Sequence, residues 1–145
     1  MSLPFPHHYQ ISLTWSHEGS EGVLSGNSKG PILAGPPPQF DGKLENWSPE
    51  DLFTSSVALC LMTTFFALAK RNDLIVDRYA CAAEGTLDKT SQGILFSGVT
   101  LKVDLSVSLP EIEKAKSVLE KAKKYCIVSN SIKCPVTVEA NVNSK

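Results

Sequence analysis

The stretch from Ser48 to Arg71 constrains this chain more than any other. Ser48-Pro49-Glu50-Asp51 supplies a helix start: a serine cap, proline at the first helical position, and acids beside the positive end of the helix dipole. Leu52, Val57, Leu59, Cys60, Met62, Phe65, Phe66 and Leu68 then cover most of the circumference, which predicts a helix to about Lys70 or Arg71, packed on several sides at the centre of the core. Its longest apolar stretch, Val57 to Ala69, is interrupted by Thr63 and Thr64 and falls short of the ~20 residues that cross a bilayer, so a buried helix is expected and not a membrane span.

The segments on either side have strand periodicity. Tyr9, Ile11, Leu13 and Trp15 alternate with polar residues, the pattern of a strand with one buried face. His17 to Gly22 suits a hairpin turn, and Val23-Leu24 and Ile32-Leu33 read as short strands. Gly35-Pro36-Pro37-Pro38 lacks amide donors and reads as a stiff, extended connector. Beyond the central helix, Arg71-Asn72-Asp73 is a stop, followed by strands at Ile75 to Gly85 and Gly93 to Val107; in the latter Val99, Leu101, Val103, Leu105 and Val107 alternate cleanly. Pro110-Glu111 opens a second helix with Ile112, Ala115, Leu119, Ala122 and Cys126 along one face. After a turn at Ser129-Asn130, Val136, Val138, Ala140 and Val142 form a last strand. Strands, helix, strands, helix, strand is an α+β order, and 145 residues without an internal repeat make one domain spanning residues 1–145.

Charge narrows the partners. Fourteen basic and fifteen acidic residues leave a net charge of −1, so no broad attraction for nucleic acid is expected. The lysine-bearing face of the second helix is interleaved with Glu111, Glu113 and Glu120 and reads as solvated ion pairs. The start MSLPFPHHY has neither the basic and apolar parts nor the cleavage site of a secretory signal, and a cytoplasmic location is expected.

Four cysteines, at 60, 81, 126 and 134, show no C-x-x-C or clustered metal spacing, and His7-His8 are adjacent instead of sharing a helical face; neither metal nor cofactor is expected. Free thiols are the default in a reducing compartment. Cys60 lies about three turns into the central helix, where a cysteine often serves as a small hydrophobe. Cys126 ends the apolar stripe of the second helix and should point toward the same core. At a helix C-terminus it suits a resolving thiol better than an attacking one; if the helix stops earlier and Cys126 opens the next turn, that argument reverses. Cys81 and Cys134 read as structural.

Phe40-x-Gly42, then Ser48-Pro49-Glu50-Asp51-Leu52, then Cys60, and finally Cys126-Ile127-Val128-Ser129-Asn130 together resemble the OsmC/Ohr family of osmotically inducible and organic-hydroperoxide-resistance proteins over nearly the whole chain. The resemblance implies antiparallel sheets around the cysteine-bearing helix, an intertwined homodimer with active sites between chains, and a thiol peroxidase. In that chemistry Cys60 attacks a hydroperoxide and becomes a sulfenic acid, Cys126 condenses with it to a disulfide, and an external dithiol reduces the disulfide. Glu50 matches the family glutamate that holds an activating arginine. The arginine itself is missing: only Arg71 and Arg78 exist, Gln39 stands where OsmC-type members carry it, and the turn Ser16 to Gly22 has none where Ohr-type members do. Gln39 or His17 is the expected donor in its place. Ile127 stands where the family usually has proline. Loss of the arginine also leaves room for a non-peroxidatic dimer that binds a small molecule or senses redox state.

Overall fold

A computed structural model describes residues 3–145. The chain divides into two compact units, one ending at Leu52 and the other running from Phe53 to Lys145. In the first, β1 (Ile11–Trp15), β2 (Gly22–Gly26) and β3 (Lys29–Ala34) form an antiparallel meander in chain order. Trp15 pairs with Gly22 across a turn in which the Ser16 amide donates to the Glu21 carbonyl at 3.0 Å. The alternation in β1 is real, but the predicted buried face is not found: Ile11, Leu13 and Trp15 are 60%, 70% and 57% exposed. A three-stranded meander has no layer of its own to lay on that face.

The proline run stays extended only through Pro37. Pro38–Phe40 is a 3-10 turn with Pro38 at its first position, where a missing N–H leaves nothing unsatisfied. Asp41 follows in the left-handed region at φ 62°, and Gly42 then passes so close to the Pro36 carbonyl that a Cβ would lie 1.5 Å from its oxygen. Only glycine fits there, which gives the Phe40-x-Gly42 pattern a steric cause.

Helix α1 (Pro49–Arg71) starts in the first unit and continues into the second. Its start is a reciprocal cap: the Asp51 amide donates to Ser48 Oγ and the Ser48 amide donates to Asp51 Oδ2, both at 3.0 Å. It ends at Asn72, whose side chain donates to the Leu68 carbonyl, and at Asp73, which is left-handed at φ 50°. At 23 residues the whole helix is long and apolar enough to cross a membrane by length and composition, beyond the shorter stretch read from the sequence. Only the stripe Val57, Leu61, Phe65 and Ala69 is buried, while Leu59 and Phe66 are exposed, so within one chain α1 packs on one side and not on several.

In the second unit, β4 (Val76–Thr90) and β5 (Gly93–Val107) form a long antiparallel hairpin. Helices α2 (Ile112–Tyr125) and α3 (Ile127–Ser131) then carry the chain over to β6 (Val136–Ser144). β6 pairs with β5 from Val99↔Val136 to Val107↔Ser144 and runs parallel to it. The α+β class stands, but the expectation of purely antiparallel sheets fails at this strand: the helical crossover between β5 and β6 returns the chain to the end of the sheet from which β5 set out. Val99, Leu101, Val103, Leu105 and Val107 form the sheet side of the core. Ala115, Val118, Leu119 and Ala122 of α2 join the α1 stripe and Cys126 on the helix side. At Gly85 in β4 a Cβ would sit 2.4 Å from Thr54 Oγ1, marking how closely α1 approaches the hairpin.

Candidate active site

Cys60 and Cys126 meet inside the second unit, as expected. Cys60 is partly buried on α1, and Cys126 is 1% exposed. The second helix ends one residue before Cys126, which takes an extended conformation (φ −63°, ψ 112°) and is both the C-cap of α2 and the N-cap of α3. Cys126 thus meets both readings of its position, closing one helix and opening the next, so the helix dipoles do not choose its role and the hydrogen bonds around the two sulfurs must. This bend aims the first amides of α3 back at α1, and the Val128 N–H donates to Cys60 Sγ at 3.5 Å. Thr64, one helical turn beyond Cys60, places Oγ1 4.0 Å from the same sulfur. Ser129 Oγ donates instead to Cys126 Sγ at 3.2 Å.

These bonds separate two otherwise similar thiols. Burial pushes both upward, since desolvation disfavours the thiolate. At Cys60 this is outweighed by the Val128 amide, the Cys126 thiol, the Thr64 hydroxyl and the Ile127 amide, so Cys60 is more acidic than an ordinary cysteine. At Cys126 burial prevails over Ser129, and a charge on Cys60 raises it further. Of the two, Cys60 is thus the thiol more readily ionised and Cys126 the one more readily kept protonated. Cys81, on β4, is raised by burial alone.

The remaining predicted residues lie in the first unit. Glu50 occupies the first turn of α1 and has a buried Oε2 with no hydrogen-bond partner among the described residues. Ten residues separate it from Cys60, about 15 Å of helix rise. Gln39 is exposed in the 3-10 turn; His17 is exposed in the β1–β2 turn, its ring tilted against Trp15 with centroids 4.5 Å apart. Arg78 is engaged by Asp104, and Arg71 closes α1 about three turns past Cys60. Neither arginine is among the groups bonded to Cys60.

The donors to Cys60 were not foreseen in the sequence. Thr64 was accessible from its i+4 spacing. The Val128 and Ile127 amides were not, because backbone donors carry no residue signature and become visible only once α2 is seen to stop at Tyr125.

A family model described as OsmC-like protein matches residues 41–141. The chain belongs to the OsmC-like protein family. Solved structures share its fold. An OsmC-like protein of unknown function from Vibrio cholerae is 23% identical, with a TM-score of 0.82 over 94% of this chain and 100% of that one. An organic hydroperoxide resistance protein from Elizabethkingia anophelis is 18% identical, with a TM-score of 0.77 over 99% and 100%. A Legionella pneumophila protein described as an organic hydroperoxide resistance protein OsmC and predicted redox protein is 21% identical, with a TM-score of 0.75 over 97% and 99%. No curated protein matches the chain.

Proposed function

We propose that this OsmC-like protein is a thiol-dependent peroxidase that reduces small organic hydroperoxides or hydrogen peroxide. The observation that carries the reading is the split between the paired thiols: donors converge on Cys60 while Cys126 stays protonated beside it. Cys60 thiolate attacks the distal peroxide oxygen, the O–O bond breaks, and the alcohol or water departs with a proton. Cys126 then attacks Cys60 sulfur, a disulfide forms, and water leaves. An external dithiol returns both thiols. Backbone and hydroxyl donors, which favour a buried thiolate as charged donors do but less strongly, take the place of the arginine.

The chain acts as one OsmC-like domain in a cytoplasmic homodimer. The exposed apolar residues Leu59 and Phe66 on α1 and Ile11, Leu13 and Trp15 on β1 support a second copy, since isolated chains rarely leave such surface bare. Glu50 is too far along α1 to serve its own Cys60, so it is assigned to the cysteine pair of the second copy, where its unpartnered oxygen orients a donor such as Gln39 or His17.

The test is stopped-flow oxidation of reduced protein by cumene hydroperoxide and hydrogen peroxide, with mass analysis of wild type, Cys60→Ser and Cys126→Ser. Fast oxidation that depends on Cys60 and ends in a Cys60–Cys126 disulfide is expected. A rate no better than that of a free thiol would sink the peroxidase. It would favour a small-molecule-binding or redox-sensing dimer, the reading supported by the engagement of Arg78 with Asp104 away from the thiols.

A further inference from the structure

The hydroxyls around the two sulfurs are not used alike. On α1, Ser56 Oγ donates to the Phe53 carbonyl at 2.7 Å and Thr63 Oγ1 to the Cys60 carbonyl at 3.1 Å, the back-bonding open to such residues inside a helix. On α3, Ser131 Oγ donates to the Ile127 carbonyl at 2.8 Å, and Ser129 Oγ is taken by Cys126 Sγ. Thr64 differs from all of these. Among the described residues its hydroxyl has one partner, Cys60 Sγ, at 4.0 Å. The contact is loose: the Val128 amide stands 3.5 Å from the same sulfur, and Ser129 Oγ 3.2 Å from that of Cys126. Cys60 and Thr64 are both half-buried, so a small molecule that reaches the sulfur also reaches the hydroxyl. Thr64 Oγ1 is thus held beside the reacting atom with its hydrogen bond largely unspent.

Cleavage of a hydroperoxide by a thiolate makes two demands on such donors: the charge sits first on sulfur and then on the oxygen that departs. The Val128 amide is aimed at the sulfur and serves the first. For the second, neither arginine is bonded at the site, and Cys126 has to remain a thiol for the disulfide step. The distances suit Thr64. An attacked atom stands about 3–3.5 Å from its nucleophile as reaction begins, with the departing oxygen one covalent bond farther on. A hydroxyl 4.0 Å from the sulfur lies within O–H···O reach, about 2.7–2.8 Å, of a departing oxygen laid alongside it. We propose that Thr64 is a catalytic residue, its Oγ1 donating a hydrogen bond to the oxygen that leaves when Cys60 cleaves the peroxide. The inference rests on the peroxidase reading and deepens it, because such a donor matters for hydrogen peroxide and alkyl hydroperoxides, whose departing oxygens are poor leaving groups. Atoms and electrons balance: the S–O bond forms, the O–O bond breaks, sulfur is oxidised to the sulfenic acid, and the peroxide is reduced to an alkoxide or hydroxide. That anion takes up the proton that Cys60 lost on ionising, and Thr64 keeps its own. A bond that is loose in the resting site and short in the transition state raises the rate without holding the substrate back.

Thr64→Val keeps the branched shape and deletes the hydroxyl, and Thr64→Ser keeps the hydroxyl. Both are compared with wild type at a pH where iodoacetamide alkylation shows the Cys60 thiolate fully formed, so that a change in its acidity does not enter. Alkylation, in which no oxygen leaves, should then proceed at the same rate in all three. Oxidation by hydrogen peroxide and by cumene hydroperoxide should slow about ten- to a hundredfold in Thr64→Val, the worth of one hydrogen bond to a charged group, and Thr64→Ser should recover most of it. Peracetic acid is the control, since acetate departs as a stable anion without a donor, and its rate should be nearly unchanged. Wild-type speed with every oxidant in Thr64→Val would overturn the role of Thr64 and leave the peroxidase standing. So would an equal loss with all three oxidants, or a loss that follows the alkylation rate or the thermal midpoint. Wild-type protein that reacts with every oxidant no faster than a free thiol would bring down the peroxidase reading and the role of Thr64 with it.

Discussion

A thiol set on an apolar helix works against its own ionisation, and at Cys60 the contest is decided by donors only one or two atoms wide. Desolvation is the largest single influence, yet the amides of Val128 and Ile127, the Cys126 thiol and the Thr64 hydroxyl together bring the sulfur below its usual range. Ile127 offers the sharpest test. A proline there would sit at the first position of α3 after an extended Cys126, a backbone that accepts it, and would delete one N–H and little else. Ile127→Pro should therefore leave the fold intact and slow Cys60 alkylation near neutral pH several-fold; an unchanged rate would remove that amide from the site. The direction of pH dependence follows from the same bonds. As pH falls through the lowered Cys60 pKa its reactivity declines last, whereas Cys81 and Cys126, both raised, react only in more alkaline solution. Limited iodoacetamide labelling followed by peptide mass analysis along a rising pH series should thus mark Cys60 first and the other two only in more alkaline solution. Equal labelling of all three near neutrality would contradict the ordering.

At the scale of elements, local chemistry made the helices and most strands legible, and long-range pairing did not. Ser48-Pro49-Glu50-Asp51 announced α1 to the residue because a cap, an N-terminal proline and an acid at the third helical position are local events. The clean alternation of β5 likewise gave its bounds and its buried face. Nothing in Val136 to Val142 told whether it would run parallel or antiparallel to β5, since both directions bury the same alternate residues. The end of α2 was equally hidden: Cys126 continues the apolar stripe, and only the extended backbone at that residue shows the helix stopping. Two substitutions test this layer. Ser48→Ala breaks a reciprocal cap and should cost about 1 kcal/mol in urea unfolding, with the helix retained. Leu61→Ala empties a fully buried position of α1 in the core and should cost about 2–5 kcal/mol, enough to distinguish a packed core from a pliable one.

At the scale of the whole molecule, the proposed homodimer would answer two features of the single chain at once. Its apolar surface is left open on β1 and on one side of α1, and Glu50 lies about 15 Å of helix from the cysteine that it is assigned to assist. A symmetric pair resolves both, because in an isologous arrangement each copy can lend its Glu50 to the other's thiols while covering the other's apolar face. Sedimentation equilibrium should accordingly give twice the mass of the chain, and Leu59→Glu should shift it toward one. The sharing can be tested separately from the mass. Cys60→Ser and Glu50→Gln should each lower peroxide turnover when alone, the first abolishing it. After the two variants are unfolded together and refolded, half of the dimers are mixed, and each mixed dimer holds one site with both an intact cysteine pair and an intact Glu50. Activity above the sum of the separate variants, approaching about a quarter of wild type, is the expected outcome for sites built across two chains. If Glu50 served its own cysteine pair, every site in the mixture would lack one group or the other, and refolding together would restore nothing.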